Sequence, residues 1–561
     1  MQELRDSIKI AAKELFAADV EPDLTRPEEQ FGDYSTNVAM QLASKVDKNP
    51  REIAQQLVEK LQDSPDVSSV EVAGPGFINF TLTDEALLRL MESKPGQKMT
   101  SQEVVVEYSD PNPFKVLHVG HLYTSVVGDA IAKLLETTGA NVHRVNFGGD
   151  VGRHVAITMW AILQNLGGEL AEKLQQIDKS ERPQWLADRY LEGNSAFEEN
   201  PAVKPEVEEL NKRIYQIHQQ QDKTSPLAQI YWTTRTWSYE YFDQFYVKIG
   251  THFEKYYPES ETVELGVNTV KENMGKVFEE SDGAIVFKGE VHNMHTRVFI
   301  NSQGLPTYEA KDVGLILKKW DDYHFDRSVI ITGNEIYEYM QVVLKAVEQF
   351  APDLVKKTTH ITHGMVKLAG GVKMSSRKGN IIKAEDVLEA ATVANKEINQ
   401  QENSDVSLGA VKYAFLKQRI GADIIFDPKE SVSIEGNSGP YLQYAHVRAK
   451  SILQKAENGE GRVESGSNLE PQTSNLELGE RSLVRKVSEY SEVVAKATEE
   501  LMPSYVTTYL YELAQTFNRF YENNRVVGDP REAIRLQLVK SYADVLKNGL
   551  ELLNIPTPER M

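Results

Sequence analysis

Cysteine is absent from the 561-residue sequence. The chain therefore cannot form disulfides, use a thiolate nucleophile or hold zinc through cysteine. No apolar run approaches the roughly 20 residues that a membrane-spanning helix needs. The opening stretch, MQELRDSIKIAAKELF, carries acidic side chains and lacks the basic start and small-residue cleavage site of a signal peptide. These absences predict a cytoplasmic protein with no membrane contact and no zinc.

Positive charge is also scarce, because 62 Lys and Arg stand against 83 Asp and Glu, a formal net charge of −21. So acidic a surface argues against non-specific nucleic-acid binding over the whole molecule. Basic side chains gather in two places. Residues 363–383 contain five Lys or Arg and no acidic residue, and residues 411–455 contain seven against four. The second cluster can equally be a solvated surface.

Length and local pattern predict three regions, since single hydrophobic cores stop growing near about 250–300 residues. Residues 1–95 combine helical periodicity with a strand–turn–strand pattern around Gly74 and Gly76, which indicates an N-terminal α+β domain. Residues 423–561 contain several amphipathic helices and predict an all-α helical bundle. Within them, the polar stretch 456–480 has no periodicity and is expected to be a loop.

The middle region, residues 100–421, begins with a strand, a helix and a second strand in about 45 residues. This order is typical of a βαβ unit and predicts an α/β fold with a parallel sheet. Strand patterns resume at 291–302 and 328–333. Residues at about 160–258, which lie between the first βαβ unit and these later strand patterns, are polar and mostly helical, which indicates an insertion.

A short motif, HVGH, ends the sequence YSDPNPFKVLHVGH of residues 108–121, between a predicted strand and a predicted helix. A helix N-terminus that follows a parallel strand favours anions. His118 and His121 can share one side of the first turn, where imidazole N–H groups can hold a phosphate whose charge changes during reaction. Gly120 lets a ligand approach the backbone. The alternative is one core histidine and one solvated histidine beside a strand–helix turn, and the position between strand and helix weakens it.

A second motif, GGVKMSSRKGN, occupies residues 370–380 and combines glycines, hydroxyls and basic side chains. Lysines and backbone N–H groups of such a loop can clamp a polyphosphate. The flanking glycines let the loop move during reaction. The alternative, an ordinary basic surface loop, does not explain the particular sequence KMSSRKGN. The two motifs together predict one triphosphate site built from distant parts of the chain.

This pair of motifs resembles the two ATP-binding signatures of the class I aminoacyl-tRNA synthetases, HIGH and KMSKS. The resemblance implies a Rossmann catalytic domain in which an amino-acid carboxylate attacks the α-phosphate of ATP in the presence of Mg²⁺. The terminal adenosine of tRNA then takes the acyl group. The implied ATP-binding residues come from both signatures: His118, Gly120, His121, Lys373, Met374, Ser375, Ser376 and Lys378.

The sequence EYSDPNPFKVLHVGH is similar to the arginyl branch of that family, whose motif is E-[FY]-S-S-P-N-x-x-K-x-x-H-x-G-H. The likeness implies an L-arginine site made of Glu107, Asp110, Asn112, His118, Tyr308 and Asp312. It also implies catalytic roles for Lys115, His118, His121 and Lys373. Lys115 is expected to stabilise the leaving phosphates, because Ser376 stands where other class I members have lysine. Asp110 replaces the usual serine, which leaves the role of that position open.

The side-chain chemistry agrees with a guanidinium ligand, since carboxylates bind this planar cation through two parallel hydrogen bonds. Tyr308 and Asp312 are four residues apart and share one helix face. Without the other motifs, an ordinary surface pair would explain them as well. Asn334 and Glu335 are further candidates for a substrate contact.

The flanking regions extend the resemblance to nearly the whole chain. Residues 1–95 resemble the N-terminal additional domain of arginyl enzymes, which contacts the tRNA elbow, and residues 423–561 resemble their anticodon-binding domain. The implied activity is ATP-dependent ligation of L-arginine to tRNA(Arg) in protein biosynthesis, by a monomer. Two alternatives stay open: a nucleotidyltransferase with HxGH chemistry and no RNA substrate, and a non-catalytic RNA-binding relative.

Overall fold

The computed structural model describes residues 2–369, 382–400, 402–459 and 475–561. The chain divides into two compact units. The first comprises Met1–Pro95, Ala445–Val494 and Tyr509–Asn548, and the second comprises Gly96–Tyr444, Ala495–Thr508 and Gly549–Met561. Parts of the predicted N-terminal and C-terminal domains therefore share one unit, and the division into domains at 1–95, 100–421 and 423–561 stays a prediction.

The N-terminal stretch combines helices with a small antiparallel sheet. Thr83 caps its last helix by accepting from the backbone N–H of Ala86, and Gly74 and Gly76 give the hairpin turn its positive φ. The sheet order is β1-β3-β2, so the strand–turn–strand prediction is confirmed. The elements are α1 (Gln2–Phe16), β1 (Tyr34–Thr36), α2 (Val38–Val46), α3 (Pro50–Leu61), β2 (Val67–Ala73), β3 (Phe77–Leu82) and α4 (Asp84–Met91).

The second unit is built around a parallel sheet with helices between successive strands. Its elements are β4 (Glu103–Glu107), α5 (Val119–Thr137), β5 (Asn141–Gly148), α6 (Arg153–Leu166), α7 (Arg182–Glu199), α8 (Val203–Gln219), α9 (Pro226–Ile249), β6 (Lys255–Pro258), α10 (Glu259–Glu272), β7 (Glu279–Ser281), β8 (Ala284–Phe287), β9 (Arg297–Ile300), α11 (Tyr308–Tyr323), β10 (Arg327–Gly333), α12 (Tyr337–Glu348), α13 (Pro352–Lys357), β11 (Thr358–His363), β12 (Val366–Leu368), α14 (Ala384–Asn399), α15 (Ser404–Leu416), β13 (Ile424–Phe426) and α16 (Pro428–Ser431).

The main sheet has the strand order β11-β10-β4-β5-β6, and all its pairs are parallel. The three valines of β4 are fully buried, as expected for a central strand covered on both faces. From β4 the chain continues to β5 and β6 on one side, and β10 and β11 lie on the other. This reversal creates a topological switch point between β4 and β10, where ligands of open α/β sheets bind. The predicted α/β fold class is confirmed.

Two sequence-based boundaries differ from the structure. The mostly helical segment expected over about 160–258 ends at Ile249, because Lys255–Pro258 pairs with β5 as the edge strand of the main sheet. The strand expected over 291–302 is shorter, because Gly289–His292 forms a 3₁₀ turn and only Arg297–Ile300 pairs with β8. In both places tertiary pairing decides the boundary.

Helices form the end of the chain, in agreement with the predicted all-α region. They are α17 (Gly439–Glu457), α18 (Leu478–Ser488), α19 (Tyr490–Glu499), α20 (Ser504–Asn523) and α21 (Glu532–Leu552). Most of the polar stretch predicted as a loop over 456–480 lies outside the described residues. None of the described helices is both long and apolar enough to span a bilayer.

Candidate active site

The switch point of the main sheet opens into a cavity of about 600 Å³. Glu107 at the end of β4 and residues 331–333 at the end of β10 line it, together with the loop that leads into α5. The structure brings eight of the predicted site residues to this one cavity. They are Glu107, Asp110, Asn112, His118, Gly120, His121, Tyr308 and Asp312.

The two histidines of the first motif form a stacked pair at the N-terminus of α5. His118 is the N-cap residue, and its Nδ1 accepts from the backbone N–H of Gly120 at 3.1 Å. In return, Nδ1 of His121 accepts from the backbone N–H of His118 at 3.1 Å. The ring centroids are 3.7 Å apart. A Cβ at position 120 would lie 2.9 Å from the His118 ring, so glycine is needed for this packing.

These bonds fix the protonation of both rings. Because each Nδ1 accepts a backbone N–H, each neutral ring carries its proton on Nε2. Burial, reinforced by the nearby Lys115 ammonium, lowers the pKa of His118. Burial, followed by the neighbouring His118 and Lys115, holds the pKa of His121 well below its usual range. At neutral pH the pair therefore presents two neutral N–H donors.

Lys115 lies on the loop before the histidines and does not line the cavity itself. Its Nζ is 5.0 Å from the ring centroid of Tyr190 on α7. Burial lowers the pKa of Lys115, and the carboxylate of Glu259 opposes this effect. The charge of the Lys115 ammonium contributes to the lowered pKa of both His118 and His121.

The second motif lies outside the described residues, and with it Lys373, Met374, Ser375, Ser376 and Lys378. Both flanks of that segment are described. On one side His363, at the end of β11, lines the cavity and contacts Thr124 Oγ1 through Nε2 at 2.6 Å. On the other side the carbonyl of Ile382 accepts from the backbone N–H of Val119 at 2.8 Å. The chain thus leaves and returns beside the first motif.

Three of the acidic side chains that line the cavity belong to the predicted arginine site: Glu107, Asp110 and Asp312. Glu107 accepts a hydrogen bond from the buried ammonium of Lys319, which neutralises it. Asp110 accepts from the backbone N–H of Phe147 at 2.8 Å, and Asp312 accepts from the Tyr339 hydroxyl. Among the residues that the structure describes, neither aspartate forms an ion pair.

Burial without a counter-ion changes how these two carboxyls titrate. Burial raises the pKa of Asp312 to about 8, and the hydrogen bond from Tyr339 opposes that rise while the charge of Glu107 adds to it. Burial, followed by the charge of Glu107, holds the pKa of Asp110 well above its usual range. A cation that entered the cavity would relieve both effects, because an opposite charge within a few ångströms favours the ionised carboxylate.

Backbone strain is concentrated in the loop that joins β4 to α5. Ser109, Asp110 and Phe114 have φ values of 75°, 50° and 67°, in the left-handed region that non-glycine residues avoid. Such conformations persist only where surrounding contacts enforce them, and they cluster at functional sites. Here those contacts include the 2.7 Å bond between Ser109 Oγ and the Tyr246 hydroxyl. The strained loop holds Asp110 at the cavity.

Comparison with known proteins gives matches along nearly the whole chain. The family described as tRNA synthetases class I (R), catalytic domain, matches residues 85–427, more than half of the sequence. The chain belongs to the arginyl family of class I tRNA synthetases. The arginyl tRNA synthetase N-terminal domain matches residues 2–82, and the DALR anticodon-binding domain matches residues 442–561.

Individual relatives of this synthetase span the full length. An arginine–tRNA ligase of Clostridium perfringens is 30% identical over 95% of both chains. One from Bacteroides thetaiotaomicron is 29% identical and covers 96% of this chain and 95% of its own. The structure of the Thermus thermophilus arginyl-tRNA synthetase superposes with a TM-score of 0.80 at 27% identity and covers 100% of both chains.

Several residues that line the cavity of this synthetase, or bond to its lining, were not identified from the sequence. Lys319 lies seven residues after Asp312 on α11, so helical spacing could have placed the two on one face. Glu259 follows β6 at the carboxyl edge of the sheet, where strand ends carry ligand contacts, and it pairs with Lys311 at 2.5 Å. No local signal identifies Tyr339 or Arg297, which also line the cavity.

Asn334 and Glu335, the two further candidates for a substrate contact, differ in their position relative to the cavity. Glu335 lines the cavity of this synthetase, and Asn334 does not. The amide of Asn334 instead donates to the carbonyl of Gly421 at 3.3 Å. Tyr308 lines the cavity and is 52% exposed. No cluster of three His, Asp or Glu side chains suited to a metal ion occurs within the described ranges.

Proposed function

We propose that this synthetase joins L-arginine to tRNA(Arg) with ATP, through an arginyl-adenylate, for protein synthesis. One observation carries the choice of amino acid: among the residues that the structure describes, the buried Asp312 and the partly buried Asp110 have no ion pair, and both line a cavity with two neutral imidazole donors. A buried charge without a partner is costly. A guanidinium, which is charged at every physiological pH, supplies the missing counter-ion. Membership in the arginyl family supports the same reading.

The guanidinium end of the substrate lies against Asp110, Asp312 and the Lys319-bound Glu107. Asp312 accepts two of its N–H groups, and the Tyr339 hydroxyl holds that carboxylate in place. Asn112 keeps its Nδ2 as a donor, because its Oδ1 already accepts from the backbone N–H of Gly149 at 2.7 Å. The exposed ring of Tyr308 closes the mouth of the site.

In the first step, a carboxylate oxygen of arginine attacks the α-phosphorus of ATP. The new bond joins that oxygen to phosphorus, and the bond to the bridging oxygen breaks, so that pyrophosphate leaves with the electron pair. His118 and His121 donate Nε2–H to the phosphate oxygens, where negative charge shifts as the bonds exchange. Because the two rings are neutral and already oriented, they need no reorganisation at that moment.

Cations on the leaving pyrophosphate come from Lys115 and from the second motif, Lys373 and Lys378, with Met374, Ser375 and Ser376 completing the ATP contacts. Mg²⁺ arrives with ATP as part of that substrate and neutralises triphosphate charge. The described flanks support this assignment, because His363 contacts Thr124 and Ile382 accepts from Val119, both in the first turns of α5.

In the second step, a ribose hydroxyl of the terminal adenosine of tRNA attacks the carbonyl carbon of the adenylate. The ester bond forms, AMP leaves, and the hydroxyl proton is released. The N-terminal and anticodon-binding matches support tRNA as the acceptor. A monomeric state, a cytoplasmic location and the three-domain division belong to this proposal as well.

The direct test is a charging assay with purified protein, tRNA(Arg), ATP and each of the twenty amino acids in turn. We expect arginine alone to be esterified, with one AMP formed for each arginyl-tRNA. Lysine is the matched control, because its cation has similar reach but lacks the planar donor pair. Charging with a different amino acid, or transfer of AMP to a small molecule without RNA, would refute the proposal.

A further inference from the structure

A hydrogen-bond network joins the last residues of the chain, 549–561, to the loop between β4 and α5, and the chemistry described above does not use it. Both segments belong to the same compact unit. The network begins at Asn554 and ends at the hydroxyl of Tyr108, which directly precedes the strained stretch of the loop. We propose that Asn554 and Thr251 are positioning residues for arginine, because they hold in place the loop that carries Asp110. The proposal rests on arginine being the substrate.

Asn554, two residues after the end of α21, is bonded through both its side chain and its backbone. Its Nδ2 donates to Oδ2 of Asp129 at 2.6 Å and to the carbonyl of Gly250 at 2.8 Å. Its Oδ1 accepts from Nζ of Lys133 at 3.3 Å. The backbone carbonyl of Asn554 accepts from the buried ammonium of Lys412 at 2.6 Å. These partners come from α5, from α15 and from the residue that follows α9, so Asn554 connects three helices.

The second part of the network connects Asp129 to Tyr108 through Thr251. Oγ1 of Thr251 donates to Oδ1 of Asp129 at 3.0 Å, which uses its only proton. The same oxygen therefore accepts from the Tyr108 hydroxyl at 3.1 Å, and that hydroxyl also lies 3.4 Å from Oδ1 of Asp129. Burial, followed by the charge of Asp129, holds the pKa of Tyr108 well above its usual range, so the hydroxyl keeps its proton. All three side chains are buried, and a buried polar group that loses its partner is costly.

The residues that follow Tyr108 need support from their surroundings. Ser109 and Asp110 both have positive φ, a conformation that persists only where neighbouring contacts enforce it. The ring of Tyr108 packs on Gly128 of α5, where a Cβ would lie 2.2 Å from the ring. On Phe253 the ring centroids are 4.7 Å apart. Ring packing and the bonded hydroxyl together hold the start of the loop, and Asp110 lines the cavity two residues later.

A positioning role and a purely structural role for the network predict different results. A network that only stabilises the fold would, when broken, lower the melting temperature and leave the affinity for arginine unchanged. A network that positions the loop would weaken arginine binding, because Asp110 meets the guanidinium in the proposed function. ATP binding should change little, since the rings of His118 and His121 are oriented by bonds of their own to the backbone.

The first test is Asn554→Gly, with the KM for arginine and the KM for ATP measured in the charging assay and the melting temperature measured beside them. Asn554 has a φ of 52°, which glycine adopts without strain, so the change removes the side chain alone. We expect the arginine KM to rise about three- to tenfold and the ATP KM to stay within about twofold. The matched control is Asn293→Gly, at an exposed asparagine with a φ of 57°, which should leave both constants unchanged.

The second test uses a pair of variants at Thr251. Thr251→Val keeps the shape and removes the hydroxyl, so the arginine KM should rise by a similar factor. Thr251→Ser keeps the hydroxyl and should retain the wild-type KM. In a Tyr108→Phe background the network lacks its last member, so adding Asn554→Gly should cause no further rise in the arginine KM.

An arginine KM that stays at the wild-type value in Asn554→Gly and in Thr251→Val would overturn the proposal, whether or not the melting temperature falls. Effects of Asn554→Gly and Tyr108→Phe that simply multiply would also overturn it. The Thr251 pair decides the matter if Asn554→Gly does not fold. Wild-type protein that fails to charge arginine would refute the proposed function itself, so the two failures are distinguishable in the same assay.

Discussion

The phosphate side and the guanidinium side of the cavity are organised in opposite ways. Nδ1 of His121 accepts from the backbone N–H of His118, and Nδ1 of His118 accepts from that of Gly120, so both rings are oriented before any substrate arrives. Asp312 is buried and Asp110 is partly buried, neither forms an ion pair in the part of the chain that the structure describes, and the pKa of each is raised. Preorganised donors favour the transition state, whereas carboxyls that ionise more readily beside a cation favour a cationic ground-state ligand. The two walls should therefore respond differently to mutation.

The largest effect should come from the phosphate side. His121→Ala removes one oriented donor and should lower kcat by about 100- to 1,000-fold while the KM for arginine changes little. Steady-state charging kinetics measure both constants. His295→Ala, which removes an exposed histidine far along the chain, is the control and should leave both unchanged. Unfolding of His121→Ala in a thermal melt would instead assign a structural role to this histidine.

The second-largest effect should come from the proposed guanidinium side of the cavity. Asp312→Asn keeps the shape but removes the charge that pairs with arginine, so the KM for arginine should rise about 10- to 100-fold. The KM for ATP should stay within about twofold of the wild-type value. Asp321→Asn, an exposed position on the same helix, is the matched control. An unchanged arginine KM for Asp312→Asn would remove this carboxylate from the substrate site.

The pH dependence of arginine binding is a further test of the proposed guanidinium side of the cavity. The pKa of Asp312 is raised to about 8, and only the ionised form pairs with guanidinium. Below that pH the proton must leave before arginine binds, so the arginine KM should rise by up to about tenfold for each pH unit on the acid side. It should level off above about pH 8. A flat profile in the wild type between pH 6.5 and 8.5 would contradict this account.

The smallest effect should come from Tyr339, whose hydroxyl donates to the carboxylate of Asp312. Tyr339→Phe deletes the hydrogen bond that lowers the pKa of Asp312, so the midpoint of the pH profile should move upward. At neutral pH the arginine KM should rise about threefold, the worth of one such bond. Asp312→Asn with Tyr339→Phe should show no additional pH shift. A midpoint that moves downward would mean that Tyr339 does not stabilise the ionised form of Asp312.

Local patterns predicted much of the fold and eight of the residues that line the cavity. HVGH between a predicted strand and a predicted helix agrees with β4 followed by α5, which begins at Val119. Periodicity found the helical insertion but placed its end too late, since pairing of Lys255–Pro258 with β5 depends on distant residues. The residues that bond to Glu107 and Asp312 were not identified from the sequence, because they too are distant in the chain. Lys319 meets Glu107 across 212 residues of sequence, and Tyr339 meets Asp312 from another helix.

By itself, the sequence determined which chemical groups the protein has and which of them act within a single turn. The helix that follows HVGH and the absence of thiol chemistry follow from it directly, because helix-start signals and composition are local properties, whereas burial in the folded protein keeps the two imidazoles neutral. Tertiary structure alone decided that Asp110 and Asp312 line one cavity while a lysine pairs with Glu107. The charge of a carboxyl depends on burial and on neighbours in space, and those neighbours are assembled only when strand order brings β4 and β10 side by side.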